Sequence, residues 1–339
     1  MILDIALFLG GVILAALTLR DVFQTVIVPG ESHSSLQVAR RLIHLLLPAW
    51  KLARGKRRGL SGSFAPSILV LSFVIWMAFL MLGFALMAWA VRDRFQPALE
   101  SYWEAVYVAG CSLVTVGVSE ENALGIARWV VLGSGFSGFA VVTMAVTYLL
   151  QVQNNVTRRD TGIIKLSTVA GSPPSAVTLL KRFAAIRNQH ELDEMLHSGR
   201  DWCAAVRQSH VSHPTLIYFQ SIGSEAGWPA ALNSLLDLSL LLEFFIDEDE
   251  FYGPAVLLRE EGERMARELA ASAGVPPDPV HPDEAELRQA QEQIGAAGYK
   301  LRADPDFAAV ARYRAEYRSC IDALARHLGK PSGGLVRQE

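Results

Sequence analysis

The chain has few of the features from which disulfide frameworks, metal sites and nucleic-acid surfaces are built. Its 339 residues include only three cysteines, Cys111, Cys203 and Cys320, which lie far apart and form neither a disulfide pattern nor a CxxC metal pair. The formal net charge is −3, so no overall basic field indicates a nucleic-acid partner. Alternating strand patterns are nearly absent and no βαβ nucleotide-binding pattern occurs, which predicts an all-α protein.

Charge is missing from two long stretches. Residues 67–91 and 129–152 hold 25 and 24 residues without a charged side chain. A helix needs about 20 apolar residues to cross a bilayer, so both stretches are predicted to span the membrane. Residues 1–28 form a third, less purely apolar segment. Asp4 stands where a signal peptide would carry basic residues, so we interpret this segment as a retained N-terminal transmembrane helix.

The first apolar segment carries two adjacent charges, Arg20 and Asp21. Charged residues within a span usually face the protein interior, pair with one another or extend to the interface. A voltage sensor requires several spaced arginines. We therefore interpret the two residues as a near-interface pair that holds this helix against its neighbours.

A segment too short to cross the membrane lies between the two uncharged stretches. Residues 101–114 lack proline and are predicted to form a short pore helix, and residues 115–119 read Thr-Val-Gly-Val-Ser. Non-helical backbone at membrane depth is tolerated only where it is buried in protein or lines a water-filled cavity. The order span, short helix, loop and span therefore favours a re-entrant pore module over residues 67–152. Two unrelated helices joined by a glycine turn are the alternative.

This order of elements resembles the potassium-channel family, in which a Thr-Val-Gly-Tyr-Gly filter follows a short pore helix. The resemblance assigns the filter to Thr115, Val116, Gly117, Val118 and Ser119. It implies a homotetramer in which backbone carbonyls and the threonine hydroxyl replace the hydration shell of a transported K⁺, with no organic cofactor. Because Val118 and Ser119 replace the usual aromatic residue and the second glycine, a weakly selective cation channel is an alternative, as is a non-conducting membrane scaffold or receptor.

Three further residues receive roles from the same resemblance. Glu120 and Glu121 directly follow the filter, and in a fourfold ring they would concentrate cations at the outer mouth. Exposed loop acids are the alternative. Gly135 lies within the sequence GSGFSG at a position where inner helices of the family carry a hinge glycine. Helix packing explains this glycine equally well.

The distribution of basic residues predicts the orientation. Residues 29–66 form a basic connector and are placed in the cytoplasm by the positive-inside rule. Arg158, Arg159 and Lys165 mark the cytoplasmic exit of the last span. The N-terminus is then outside and the C-terminus is inside a multi-pass protein of the cell membrane. Residues 40–58 are either an amphipathic helix on anionic lipid or a solvated connector, since Pro48 is expected to interrupt a helix.

Residues 153–339 are predicted to form a helical cytoplasmic regulatory domain whose ligand or partner is unknown. Ser175 and Asp283 are typical helix starts. Gly199, Gly274 and Gly329 are predicted helix stops. The predicted helices cover residues 175–198, 200–209, 229–247, 254–273, 283–302 and 305–328. Residues 229–246 are apolar enough to suggest a fourth span, but Asn233, Asp237 and Glu243 favour a buried core or interface helix.

No catalytic or metal motif in this domain is strong, so the chain is not predicted to be an enzyme. His210 and His213 form an HxxH pair without the two further ligands that a zinc site needs. The acidic run Asp247–Glu250 fails the EF-hand spacing and is interpreted as a solvated helix end. Cys203 is interpreted as a small buried apolar residue rather than a nucleophile.

Overall fold

The computed structural model describes residues 1–27, 38–54, 64–117, 121–221 and 226–336. The structure is 79% helical, with 11 α-helices in the described residues, which confirms the prediction of an all-α protein. Three of these helices are long and apolar enough to cross a membrane. The chain divides into two compact units, residues 1–152 and residues 153–339.

The first unit contains the three candidate spans. Its described helices are α1 (Ile2–Val26), α2 (Val38–Arg54), α3 (Phe64–Ala90), α4 (Tyr102–Leu113) and the first part of α5 (Ile126–Ala170). Two short strands, β1 (Phe95–Gln96) and β2 (Asn122–Ala123), pair antiparallel on either side of α4. Helix α5 runs to Ala170 instead of ending at residue 152. The stretch from 153 to 170 contains no proline, and its one glycine, Gly162, lies inside the helix, so the first strong stop is Gly171-Ser172-Pro173-Pro174.

Helices α1 and α3 pack through glycines and are joined by one buried polar contact. A Cβ built on Gly11 would lie 2.4 Å from the carbonyl oxygen of Gly83, so the two backbones approach too closely for any side chain. Near the other end of α1, the buried carboxylate of Asp21 accepts a hydrogen bond from Trp76 Nε1 at 2.8 Å. It also accepts one from the amide of Val38 at 3.3 Å. Asp21 therefore holds α1 against α3 and against the start of α2.

Helix α2 continues through Pro48, so the expected interruption at this residue is wrong. The residues before and after the proline share one face: Leu42 and Trp50 are buried, and Trp50 stacks on Phe64 of α3 with ring centroids 4.9 Å apart. This packing offsets the hydrogen bond that proline removes. Leu45 on the opposite side is 73% exposed, which makes α2 amphipathic. Residues 55–58 of the lipid-binding prediction lie outside the described residues.

The second unit is a bundle of helices joined by short loops. Its helices after α5 are α6 (Ala176–Ile186), α7 (Gln189–Ser212), α8 (Gly227–Phe244), α9 (Asp249–Ser272), α10 (Glu284–Ala296) and α11 (Phe307–Leu328). The predicted helix starts are confirmed, since Ser175 and Asp283 cap α6 and α10 through their side-chain oxygens. Gly274 and Gly329 have left-handed backbones at the ends of α9 and α11, as predicted.

One predicted helix end is wrong. Gly199 lies inside α7, and a Cβ built on it would lie 3.0 Å from Leu235, so this glycine allows close packing on α8. The chain breaks earlier, where Arg187 adopts a left-handed backbone with φ +50° and ends α6. Asn188 then caps α7 by accepting a hydrogen bond from the amide of Glu191 at 3.3 Å. The break is therefore made by a capping pair that a search for glycine and proline overlooks.

Helix α8 is the buried centre of the second unit. It is buried around its whole circumference, as expected of a helix surrounded by others. Its buried Asp237 accepts a bidentate pair of hydrogen bonds from Arg314 of α11, at 2.7 and 3.0 Å. Tyr317 and Asn233 donate two more to the same carboxylate, at 2.6 and 3.1 Å. The predicted buried core helix is confirmed, and Asp237 is the residue that fixes its pairing with α11.

Arg159 does not act as an exposed charge at the end of the last span. Its side chain is buried; Nε donates to Asp160 at 3.0 Å, Nη1 to the carbonyl of Leu216 at 3.2 Å and Nη2 to that of Phe219 at 3.0 Å. Burial lowers the pKa of this guanidinium, while the adjacent Asp160 carboxylate opposes that shift. Arg159 therefore holds the turn after α7 against α5.

Candidate functional site

The short helix α4 begins at a capping motif. The Ser101 hydroxyl accepts a hydrogen bond from the amide of Glu104 at 3.3 Å. The Glu104 carboxylate returns to accept one from the amide of Glu100 at 2.7 Å. This arrangement satisfies one amide of the first helical turn and the amide that precedes the N-cap, and it places a negative charge at the positive end of the helix. The helix is thus defined as a separate element of 12 residues, too short to cross a membrane.

The end of α4 has an unusual backbone. Thr115 adopts a left-handed conformation with φ +58°. Its amide donates to the carbonyl of Ser112 at 3.0 Å, and the amide of Val116 donates to that of Cys111 at 2.9 Å. This is the pattern of a glycine-type helix stop, but a β-branched residue occupies the strained position. Gly117 is also left-handed, with φ +71°, so the backbone turns sharply twice within three residues.

The predicted filter is only partly within the described chain. Thr115, Val116 and Gly117 are exposed, and Val116 retains 60% of its accessible surface. Residues 118–120, which are Val118, Ser119 and Glu120, lie outside the described residues. Glu121 directly precedes β2 and is partly exposed. The structure therefore locates the first three residues of the predicted filter immediately after α4.

Two serines tie the end of α4 to α5. The Ser112 hydroxyl donates to the carbonyl of Val131 at 2.6 Å, and the Ser134 hydroxyl donates to the carbonyl of Ala109 at 3.0 Å. Ser134 is completely buried. Such hydroxyl–carbonyl bonds hold helices together in an apolar environment, where the hydrophobic effect contributes little. They fix the orientation of the residues that lead into Thr115.

Glycines on α5 allow α4 to approach still more closely. A Cβ built on Gly138 would lie 1.7 Å from the carbonyl oxygen of Leu113, the last residue of α4. One built on Gly135 would lie 3.3 Å from the carbonyl oxygen of Ser112. The predicted hinge residue Gly135 is therefore a packing residue in this structure, and its role as a hinge stays a prediction. Gly138 makes the closer contact, and the repetition of small residues in GSGFSG was the signal for it.

The HxxH pair in the second unit is buried. His210 Nδ1 lies 2.8 Å from the carbonyl of Val206, and burial and the positive charge of Arg159 lower the pKa of His210 to about 3. Burial also lowers the pKa of His213. Within the described residues, no group of three or more histidine, cysteine or acidic side chains could hold a metal ion. The buried Cys203 has a pKa well above the usual value, which fits an apolar rather than a nucleophilic role.

His210 makes stability depend on pH. Because its folded pKa lies below that of the unfolded chain, its contribution is complete above about pH 6.5 and is lost as the pH falls below it. We expect the loss to reach about 2 kcal/mol at pH 5. The His210→Asn variant can retain the hydrogen bond to Val206. In thermal unfolding, it should lose less stability between pH 7.5 and pH 5 than the unmodified protein does. An equal loss in this variant and in the exposed control His281→Asn would contradict the prediction.

Two contacts at the candidate site were missed by the sequence reasoning. Ser112 and Ser134 were read only as parts of apolar segments, although small polar residues on a membrane helix are a known packing signal.

Comparison of the chain with protein-family models, curated proteins and solved structures finds no match in any of the three. The functional conclusion therefore depends on the residues and geometry of the chain itself.

Proposed function

We propose that the chain is one subunit of a tetrameric cation channel that conducts K⁺ through backbone carbonyls at Thr115–Ser119. The observation that carries this proposal is the strained backbone at Thr115, at the end of a short helix between two candidate spans. A left-handed, β-branched residue costs about 1–2 kcal/mol and persists only where its surroundings hold it. Such strain is concentrated at functional sites.

The contacts behind the loop supply the required rigidity. Ser112, Ser134 and Gly138 fix the end of α4 against α5. The C-terminal end of α4, which carries the negative end of the helix dipole, leads directly into the loop. A dehydrated cation needs oxygen ligands and benefits from a negative potential, and both are provided here by backbone atoms.

A homotetramer follows from the single pore loop. One chain supplies one loop, whereas a carbonyl cage for K⁺ is assembled from four. In the single chain, apolar residues flanking the loop are strongly exposed: Trp103 on α4 is 77% exposed and Trp129 and Phe136 on α5 are each 73% exposed. Neighbouring subunits and lipid would cover these surfaces. The acidic residues Glu120 and Glu121 would then form a ring at the outer mouth.

The proposed orientation places α2 at the cytoplasmic side of the membrane. Arg41 and Lys51 lie on its exposed surface beside Leu45, while its opposite face packs on α3. An amphipathic helix of this kind suits the headgroup layer of an anionic membrane. Residues 153–339 are then cytoplasmic and bias the opening of the pore.

The proposal is tested by the reversal potential of the purified protein in a planar bilayer, with K⁺ on one side and Na⁺ on the other. A value near the K⁺ equilibrium potential is expected. A clear current that reverses near zero would favour the weakly selective channel, to which Val118 and Ser119 would contribute. No current under any condition would favour the non-conducting scaffold.

The Gly117→Ala variant tests the filter assignment. A left-handed alanine costs about 1–2 kcal/mol in each of four subunits, so the K⁺ current should fall about tenfold or more, with assembly intact. Gly125→Ala is the matched control, because Gly125 also has a left-handed backbone and, like Gly117, has no atom within 4 Å of its built Cβ. Equal currents in both variants would count against the assignment.

A further inference from the structure

The chain after α11 returns to the start of the second unit. Leu335 is completely buried, and its amide donates to Glu286 Oε1 at 2.9 Å. Its carbonyl accepts from the Ser175 hydroxyl at 2.7 Å and from the amide of Val177 at 3.4 Å. The amide, the carbonyl and the side chain of Leu335 are therefore all held by the second unit. We call residues 330–336 the C-terminal clamp.

One side of the clamp is attached to the buried charge network. The second oxygen of Glu286 accepts from Arg314 Nη1 at 2.6 Å. The same guanidinium is paired with Asp237 of α8. Glu286 thus has one oxygen on the interior network and the other on the clamp, so its carboxylate is held in the position that Leu335 requires.

The other side of the clamp is attached to the linker between α5 and α6. Ser175 caps α6, and its amide donates to the carbonyl of Ala170, the last residue of α5, at 3.1 Å. The carbonyl of Leu335 also satisfies the amide of Val177, which lies in the first turn of α6, where amides lack a partner within the helix. A continuous series of hydrogen bonds therefore runs from the clamp through Ser175 to the end of α5.

We propose that the C-terminal clamp is a detachable restraint on the linker after α5 and that its release changes the opening of the pore. This inference rests on the proposed channel function, because α5 is the helix that also carries the pore-side segment at residues 129–152. Leu335 is the clamp residue whose side chain is completely buried, and it is held at both its amide and its carbonyl. Detachment therefore does not require the bundle to unfold.

The full-length protein allows the restraint and its effect to be measured separately. The Leu335→Ala variant should raise hydrogen exchange at the amide of Val177 about tenfold or more, because the truncated side chain no longer anchors the clamp. It should also shift the open probability about fivefold or more in either direction. Val336→Ala is the matched control, since that neighbouring side chain is not completely buried.

A synthetic peptide of residues 330–339 should restore slow exchange in a variant that ends at Gly329, whereas the same peptide carrying Leu335→Ala should not. Unchanged exchange at Val177 in the Leu335→Ala variant would overturn the clamp. Raised exchange with an unchanged open probability would overturn its coupling to the pore. If the unmodified protein carries no current, the channel proposal fails, and the exchange and peptide results alone decide whether the clamp exists.

Discussion

The Gly138→Ala variant is expected to lose the ordered end of α4 and, with it, the K⁺ current of the proposed channel. The added methyl group would lie 1.7 Å from the carbonyl oxygen of Leu113 and 2.6 Å from its carbonyl carbon. These are backbone atoms that cannot rotate away, so α4 and α5 must separate. Overpacking of this kind costs about 3 kcal/mol or more where the surroundings cannot yield. Leu113, which must be displaced, lies two residues before Thr115. We therefore expect the current to be lost while the membrane helices remain folded.

Gly10→Ala is the control for this variant. Gly10 also lies in a candidate membrane-spanning helix, but a Cβ built on it has no atom within 4 Å. The two variants should be compared by single-channel recording and by the thermal stability of the purified protein in detergent. Normal current in Gly138→Ala would mean that the contact between Gly138 and Leu113 does not position the filter.

Replacing Asp237 is expected to give the largest loss of stability in the second unit. The Asp237→Ala variant leaves Arg314 buried without its bidentate partner and removes the acceptor of the Tyr317 hydroxyl. Removing one member of a buried ion pair costs about 3–5 kcal/mol. The buried Cys203 provides the measurement, because its alkylation requires the unit to open. Site-resolved mass spectrometry should show labelling at Cys203 about a hundredfold faster or more.

Two further variants serve as controls for this prediction. Asp278→Ala removes a pair with Arg326, whose side chain is 70% exposed, and should change stability by about 1 kcal/mol or less. The double variant Asp237→Leu, Arg314→Met removes both buried charges and should recover much of the lost stability. If Asp237→Ala labels no faster than Asp278→Ala, the buried network does not hold α8 and α11 together.

Sequence patterns predicted the helical class and most helices because their signals are local. Long apolar stretches predicted the candidate spans, and Ser175 and Asp283 predicted helix starts that the structure confirms. The buried helix α8 followed from an apolar segment in which Asn233, Asp237 and Glu243 favour a core helix over a fourth span. Each of these signals is complete within one helix or one turn, so no knowledge of distant neighbours is needed.

The predictions for Pro48 and Gly199 failed because distant contacts override a local signal, and the same effect buries Arg159. Pro48 lies inside α2, because packing on α3 offsets the lost hydrogen bond. Gly199 lies inside α7 because α8 approaches there. Arg159 is buried because three acceptors from two elements surround it. Proline, glycine and arginine give the same local signal wherever they occur. Their neighbours in the fold decide whether a proline or glycine ends a helix or lies within it, and whether an arginine is exposed or buried.

The sequence by itself determined the three apolar segments, the short helix between the last two and the Thr-Val-Gly run that follows it. The tertiary structure alone decided the left-handed backbone of Thr115, the contact of Gly138 with Leu113 and the pairing of Asp237 with Arg314, 77 positions away. The physical reason is the range of the interactions. Hydropathy and capping act within a helix, whereas backbone strain and buried charge pairing depend on atoms that the fold brings together.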